Sequence, residues 1–218
     1  ARKLMKQGFV KVASATPRIR VADPVYNAQV ICEQAKEAAE HGAKIVVFPE
    51  LCITGYTCND LFLQELLLEK AKEALLTIAE ETGQLETLFL VGLPVDKDGR
   101  LYNVAAVLYR GRILGMIPKK NIPMYAEFYE GRHFTPGEET VTEYRLGKQV
   151  IPFGSNLLFR CEELPELILG CELCEDLWVA EPPSTSHALM GATVIANLSA
   201  SNETVSKDDY RTLLIKAS

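Results

Sequence analysis

Apolar positions along this chain recur at two periods, and the two periods alternate. Residues 9–15 read as a strand. Val30, Ile31, Ala35, Ala38 and Ala39 then fall on one face of a helix. Asn27 can cap that helix, which runs to about His41 and ends at Gly42. A short apolar run at 45–48 suits a buried strand. Asp60 can cap a long helix through about Thr82, stopped by Gly83. Residues 88–93, 101–109 and 112–117 read as strands, with turns at Asp96-Lys97-Asp98-Gly99 and Arg110-Gly111. Residues 121–137 form an aromatic, proline-punctuated loop. Strands follow at 157–160, 167–173 and 193–198, with a short helix at 184–190 and another helix over 207–217. No repeat or low-complexity stretch interrupts the order. Strands dominate the middle and helices flank them, which predicts a layered α/β (α+β) domain with helices covering sheet faces. The pattern stops inside a helix, so the sequence is expected to be a fragment of a longer chain.

Composition narrows the field without naming a function. The 218 residues suit one large domain with a sizeable core. With 48% hydrophobic and 24% charged residues, disorder is excluded as the main state. No apolar run approaches the roughly 18 residues needed to span a bilayer. Ala1-Arg2-Lys3-Leu4-Met5-Lys6 is followed by no apolar signal segment. The net charge of −6, without a basic cluster, argues against a nucleic-acid surface. The six cysteines read as reduced thiols of a cytoplasmic protein, mostly small buried hydrophobes.

Three residues look misplaced for pure structure. Glu50 follows the apolar run 45–48 almost directly, and strand C-termini are where α/β folds carry functional groups; its bland alternative is an ordinary loop glutamate. Cys174 follows the apolar segment 167–173. Cys171 and Cys174 form a lone C-x-x-C, but zinc would need two further ligands, and His41, His133 and His187 are scattered. On a continuing strand these two cysteines face opposite ways, so one packs and Cys174 sits at the end. Its neighbours Glu175 and Asp176 would raise a thiol pKa unless a cation is near. Lys119, just past 112–117, supplies such a cation, though alone it reads as a solvated lysine. A nucleophile, a carboxylate base and a cation, each past a strand, are the parts of acyl transfer.

These positions resemble the Glu-Lys-Cys triad of the nitrilase (carbon–nitrogen hydrolase) superfamily, in Phe48-Pro49-Glu50-Leu51, Pro118-Lys119 and Cys174-Glu175-Asp176. The likeness is closer to the glutaminase domains of glutamine-dependent NAD synthetases. It lies in Gly55-Tyr56-Thr57-Cys58-Asn59-Asp60-Leu61-Phe62, in residues 118–130, in Arg132-His133-Phe134-Thr135-Pro136-Gly137, in Cys174 to Val179 with Pro182-Pro183-Ser184, and in Asn197-Leu198-Ser199-Ala200-Ser201-Asn202. The resemblance implies a four-layer αββα sandwich spanning residues 1–218 and truncated at its C-terminus. It also implies homo-oligomers and a C-terminal synthetase domain, absent here, that uses ATP, Mg and deamido-NAD.

By the same resemblance, Cys174 attacks glutamine's side-chain amide, Glu50 is the general base, and Lys119 with the Glu175 N–H holds the oxyanion. Glu127 corresponds to an auxiliary second glutamate. Tyr56, Tyr125, Phe128, Glu175 and Ser201 surround the substrate. Lys207 is a weaker partner for its carboxylate, and Arg211 weaker still. Trp178 is assigned to packing. The domain itself would need no metal or cofactor. A stand-alone ω-amidase or carbamoylase of the same superfamily, or a catalytically silent domain, stays open.

Overall fold

The computed structural model describes residues 8–217; the segment 1–6, read above for a signal segment, lies outside the described residues. In chain order the elements are β1 (Val12–Ser14), α1 (Pro24–Glu40), β2 (Ile45–Val47), α2 (Glu65–Glu81), β3 (Leu88–Lys97), β4 (Arg100–Tyr109) and β5 (Arg112–Pro118). There follow β6 (Thr142–Leu146), β7 (Gln149–Phe153), β8 (Leu158–Arg160), β9 (Ile168–Leu173), α3 (Pro183–Leu189), β10 (Val194–Leu198) and α4 (Lys207–Ala217).

Among the described residues ten strands form two sheets, one ordered β1-β2-β3-β4-β5-β7-β6 and the other β10-β9-β8. The inward faces of α1 and α2, with Ile31, Ala35, Leu75 and Ile78, bury against one side of the larger sheet. Its other side carries Ile45, Leu90, Ala105, Val107 and Ile117, which pack on Leu169, Cys171, Leu173, Ala196 and Leu198 of the smaller sheet. On the far side of β9, Gly170 leaves room for His187 of α3; a Cβ there would lie 2.9 Å from the imidazole Nδ1. The layers are therefore α, β, β, α, as expected. Helix α4 buries no residue.

Local chemistry shifts several boundaries. Asp23, not Asn27, caps α1, accepting a hydrogen bond from the Tyr26 N–H at 3.1 Å. Asn27 is fully buried: it accepts from the Arg20 N–H at 2.7 Å and donates to the carbonyls of Arg20 and Ile53 at 2.7 and 2.9 Å. It thus ties the loop before α1 to the loop after β2. Asp60 does not cap α2 either. A 3₁₀ turn, Asn59–Leu63, and an extended Gln64 intervene, so the helix starts at Glu65. Asp60 instead accepts from Arg132 Nε and pairs with His133 Nε2, each at 2.9 Å, which pins the loop after β5. The hairpin β6–β7, turning at Gly147 with φ +56°, is an element the apolar runs do not announce. Its strands expose alternate residues and bury only Tyr144, Leu146, Ile151 and Phe153.

Asn27→Ala leaves the Arg20 N–H and the Ile53 carbonyl without this partner. The expected cost is about 2 kcal/mol, read as a lower midpoint in urea unfolding with an unchanged slope.

Candidate active site

Strand β2 is parallel to β3, and β3 and β5 both run antiparallel to β4, so β2 and β5 end at the same edge of the larger sheet. Glu50 lies three residues past β2 and Lys119 directly past β5; Cys174 directly follows β9 of the smaller sheet. The three sequence-predicted residues therefore meet where the two sheets' strand ends converge.

Lys119 is fully buried, and its ammonium donates to Glu50 Oε1 at 2.6 Å and to Glu130 Oε1 at 2.7 Å. Asn103 Nδ2 donates to Glu50 Oε1 at 2.7 Å and to Glu130 Oε2 at 3.3 Å. The Tyr56 hydroxyl donates to Glu130 at 2.6 Å, and the Ala200 N–H donates to Glu50 Oε2 at 3.0 Å. Burial raises the Glu50 carboxyl above the ordinary glutamate value; Glu130 adds to the rise and Lys119 opposes it. Burial works to lower Lys119, but Glu50 and Glu130 outweigh it and hold the ammonium charged. Burial, then Glu50, pushes the Cys174 thiol up to about 12, against Lys119, the Ser199 hydroxyl and the Ala200 N–H. The site thus holds a protonated thiol beside a carboxyl group of raised basicity. That pairing suits base-assisted nucleophilic attack.

Backbone geometry aims both groups. Cys174 has φ +41°, and Leu51, next to Glu50, has φ +53°. Both are left-handed conformations that cost a non-glycine residue about 1 kcal/mol or more. The Cys174 N–H donates to Asn197 Oδ1 at 3.2 Å, which fixes the turn that carries Cys174.

Residues 11–217 match the family described as carbon-nitrogen hydrolase. The chain belongs to the carbon-nitrogen hydrolase family. A glutamine-dependent NAD(+) synthetase of Mycobacterium tuberculosis is 41% identical over 212 residues, which is 97% of this chain and 31% of that protein. One from Thermotoga maritima is 34% identical over 208 residues, 95% of this chain and 32% of the other. This carbon-nitrogen hydrolase therefore spans about a third of the length of such relatives. The crystal structure of a glutamine-dependent NAD(+) synthetase from Cytophaga hutchinsonii superposes with a TM-score of 0.84 at 29% identity, covering 95% of this chain and 33% of that one. An amidase from Nesterenkonia sp. shares the fold, with a TM-score of 0.70 at 22% identity over 95% of this chain and 70% of its own.

In this carbon-nitrogen hydrolase a cavity of about 290 Å³ opens onto Cys174. Cys174 lines it with Tyr56, Tyr125, Phe128, Glu175, Ser201 and Lys207, so every substrate-side residue expected from the sequence borders one space. Tyr125 donates to Glu175 Oε2 at 2.7 Å. Lys207 donates to Ser201 Oγ at 2.8 Å and to Asn202 Oδ1, with its ammonium 5.3 Å from the Trp178 ring centre. Trp178, expected to be packing, borders the cavity as well. Arg211 does not border it and pairs with Glu203 at 3.0 Å.

The structure places Glu127, the auxiliary glutamate implied by the resemblance, away from Lys119. Phe128 N–H bonds back to the Tyr125 carbonyl at 2.9 Å, in a turn that keeps Glu127 exposed at the cavity wall, where it accepts from Asn202. The next 3₁₀ turn, Glu130–Arg132, buries Glu130 against Lys119 instead. Asn103 also escaped the sequence reading, although a lone buried amide in the apolar run 101–108 is the signal that marks it.

Two glycines let the backbone close over the triad. A Cβ on Gly92 would meet Leu51 N at 2.3 Å, Pro49 O at 2.8 Å and Glu50 C at 2.9 Å; one on Gly137 would meet the Pro118 carbonyl at 2.7 Å. Gly92→Ala must push the Glu50 turn outward by several tenths of an ångström. Loss of about 100-fold in kcat is expected, with a cooperative melt retained, by turnover and thermal unfolding of the same sample.

Proposed function

We propose that this domain hydrolyses the side-chain amide of glutamine through a Cys174 thioester. In the whole enzyme the released ammonia would serve the ATP-dependent conversion of deamido-NAD to NAD. The observation that carries this reading is the composition of the cavity above the buried Glu50–Lys119–Glu130 cluster. Lys207 pairs with no carboxylate among the described residues, while Glu127 and Glu175 present carboxylates across the same space. One unpaired cation and two carboxylates complement a zwitterionic amino-acid head group, whose amide then reaches Cys174. The volume sits near the lower bound for small-molecule sites, which suits one amino acid. The names of the synthetase relatives support the same substrate and the same downstream step. A plain aliphatic amide would leave Lys207 without a counter-charge, so an amidase for uncharged aliphatic amides is disfavoured.

The chemistry follows from the geometry. Glu50 takes the Cys174 proton as Sγ attacks the amide carbon, and the carbonyl oxygen becomes an oxyanion. The Lys119 ammonium and the Glu175 N–H, at the first turn after β9, supply the donors for it. Because Asn197 occupies the Cys174 N–H, that group is not one of them. Glu50 then protonates the amide nitrogen, the C–N bond breaks and ammonia leaves. Water attacks the thioester with Glu50 as base, releasing glutamate and restoring the thiol. Glu130 holds Lys119 from the side away from Glu50 and keeps its charge in place. The synthetase partner would lie in the same polypeptide, with ATP and Mg bound there, in an oligomeric cytoplasmic enzyme.

Covalent capture by 6-diazo-5-oxo-norleucine, mapped by peptide mass spectrometry, is expected to give one adduct on Cys174, protected by glutamine. An adduct indifferent to glutamine would sink the substrate assignment. Cys174→Ala is expected to abolish glutamine-dependent turnover while ammonia-dependent synthesis survives in the intact enzyme.

Since Glu50 acts as base only when ionised, kcat/KM should fall as pH drops through its raised pKa. The acid limb is therefore expected above pH 4.5, the ordinary glutamate value. Glu50→Gln is expected to lose roughly 10²–10⁴ in rate. A pH profile still flat below 4.5 would remove Glu50 from the role.

A further inference from the structure

The triad is divided between two sheets. Glu50 and Lys119 stand on the larger one, and Cys174 stands on the smaller one. Between the sheets lie apolar side chains. Apolar packing is non-directional, so it does not by itself set where one strand end lies relative to the other.

Asp176 lies at that junction. It is two residues past the nucleophile and 1% exposed. Its Oδ1 accepts from the Asn121 N–H and from Asn121 Nδ2, each at 2.8 Å. Its Oδ2 accepts from the Leu173 N–H at 3.1 Å and from the Lys120 N–H at 3.4 Å. Leu173 immediately precedes Cys174; Lys120 and Asn121 immediately follow Lys119. The Lys119 peptide is itself locked into the larger sheet, its N–H on the Asn103 carbonyl and its carbonyl on the Gly137 N–H, both at 2.7 Å. One carboxylate thus grips the backbone on both sides of the sheet interface, one residue from the nucleophile and one from the lysine.

The choice of residue type is explained by counting groups. Four N–H groups converge on Asp176 and no acceptor faces it. Only a carboxylate accepts from all four; an amide would turn one N–H₂ against two donors. No lysine, arginine or histidine pairs with Asp176 among the described residues. It does not border the cavity, so it does not serve the substrate directly.

We propose that Asp176 is a positioning residue that sets the Lys119–Cys174 separation by binding the backbones of both strand ends. The proposal rests on the reading of Cys174 as nucleophile and Lys119 as its cation. The titratable groups around the thiol are Glu50, Lys119, Tyr56 and Tyr125. Of these, only Lys119 is tied through Asp176 to the nucleophile's turn.

Asp176→Asn keeps the shape and loses one pair of bonds, whichever way the amide turns. Asn121→Ala removes one donor of four and leaves the backbone bonds, so it covers the case in which the first variant does not fold. Both are measured in the full-length enzyme, with sites counted by 6-diazo-5-oxo-norleucine capture. Glutamate release per counted site is expected to fall about tenfold in Asp176→Asn and about threefold in Asn121→Ala, with KM within about twofold. The second readout needs no glutamine. It is the pH at which iodoacetamide alkylates Cys174 half-maximally, followed on the Cys174 peptide. Asp176→Asn also removes a negative charge that raises the thiol pKa, so the midpoint is read in Asn121→Ala, which leaves every charge in place. Lys119 lowers the thiol pKa, and loosening it there is expected to move the midpoint upward.

A merely structural role would lower the number of counted sites and leave the rate per site and the Asn121→Ala midpoint unchanged. That result in both variants, or in Asn121→Ala alone if Asp176→Asn is unfolded, overturns the proposal. If the wild-type enzyme turns over no glutamine, the proposed substrate fails, while the alkylation midpoint still decides the role of Asp176.

Discussion

A fully buried ammonium is the constraint on which the site is built. Lys119 has no solvent contact, and an isolated charge at such depth is prohibitively unfavourable. Two carboxyl groups, Glu50 and Glu130, accept from it, and neutral donors complete their hydrogen bonds: Asn103 Nδ2, the Tyr56 hydroxyl and the Ala200 N–H. These donors come from β4, from the loop after β2 and from the loop after β10. Burying one lysine therefore requires distant parts of the chain to arrive together, and the loops at this edge are shaped by that requirement.

The same arrangement separates holding from reacting. Glu130 and Asn103 hold Lys119 and Glu50 in place, Glu130 from the cavity wall, while Cys174 alone of the three triad residues borders the cavity. The thiol rests protonated beside its base, because burial and the Glu50 charge favour the neutral form. On the proposed mechanism reactivity comes from proton transfer during attack, whereas Cys32, Cys52, Cys58 and Cys171, also with raised pKa values, are packed in the core.

The strand ends carrying Glu50, Lys119 and Cys174 could be read from apolar runs followed by polar residues, because a buried strand must stop before a charge. Helix α4 and strand β10 were legible for similar reasons. Position 127 against 130 was not, because inside an irregular loop no period tells which glutamate turns inward. That choice is made by Tyr56 and Asn103, tens of residues away in sequence. Asn27 and Asp60 looked like caps by type, yet tertiary partners claimed both side chains: the Ile53 carbonyl for one, Arg132 and His133 for the other. Strands β6 and β7 carry few apolar residues because only one face of the hairpin is covered.

Gly92 and Gly137 do no chemistry and touch no cavity, yet each backs a triad residue through a gap too narrow for one carbon. The site is in this sense vulnerable to addition rather than removal. A single extra methyl group, placed away from the cavity that Cys174 borders, would displace the backbone that carries a triad residue. A survey of inactivating variants sorted by contact with substrate would misfile both positions as harmless.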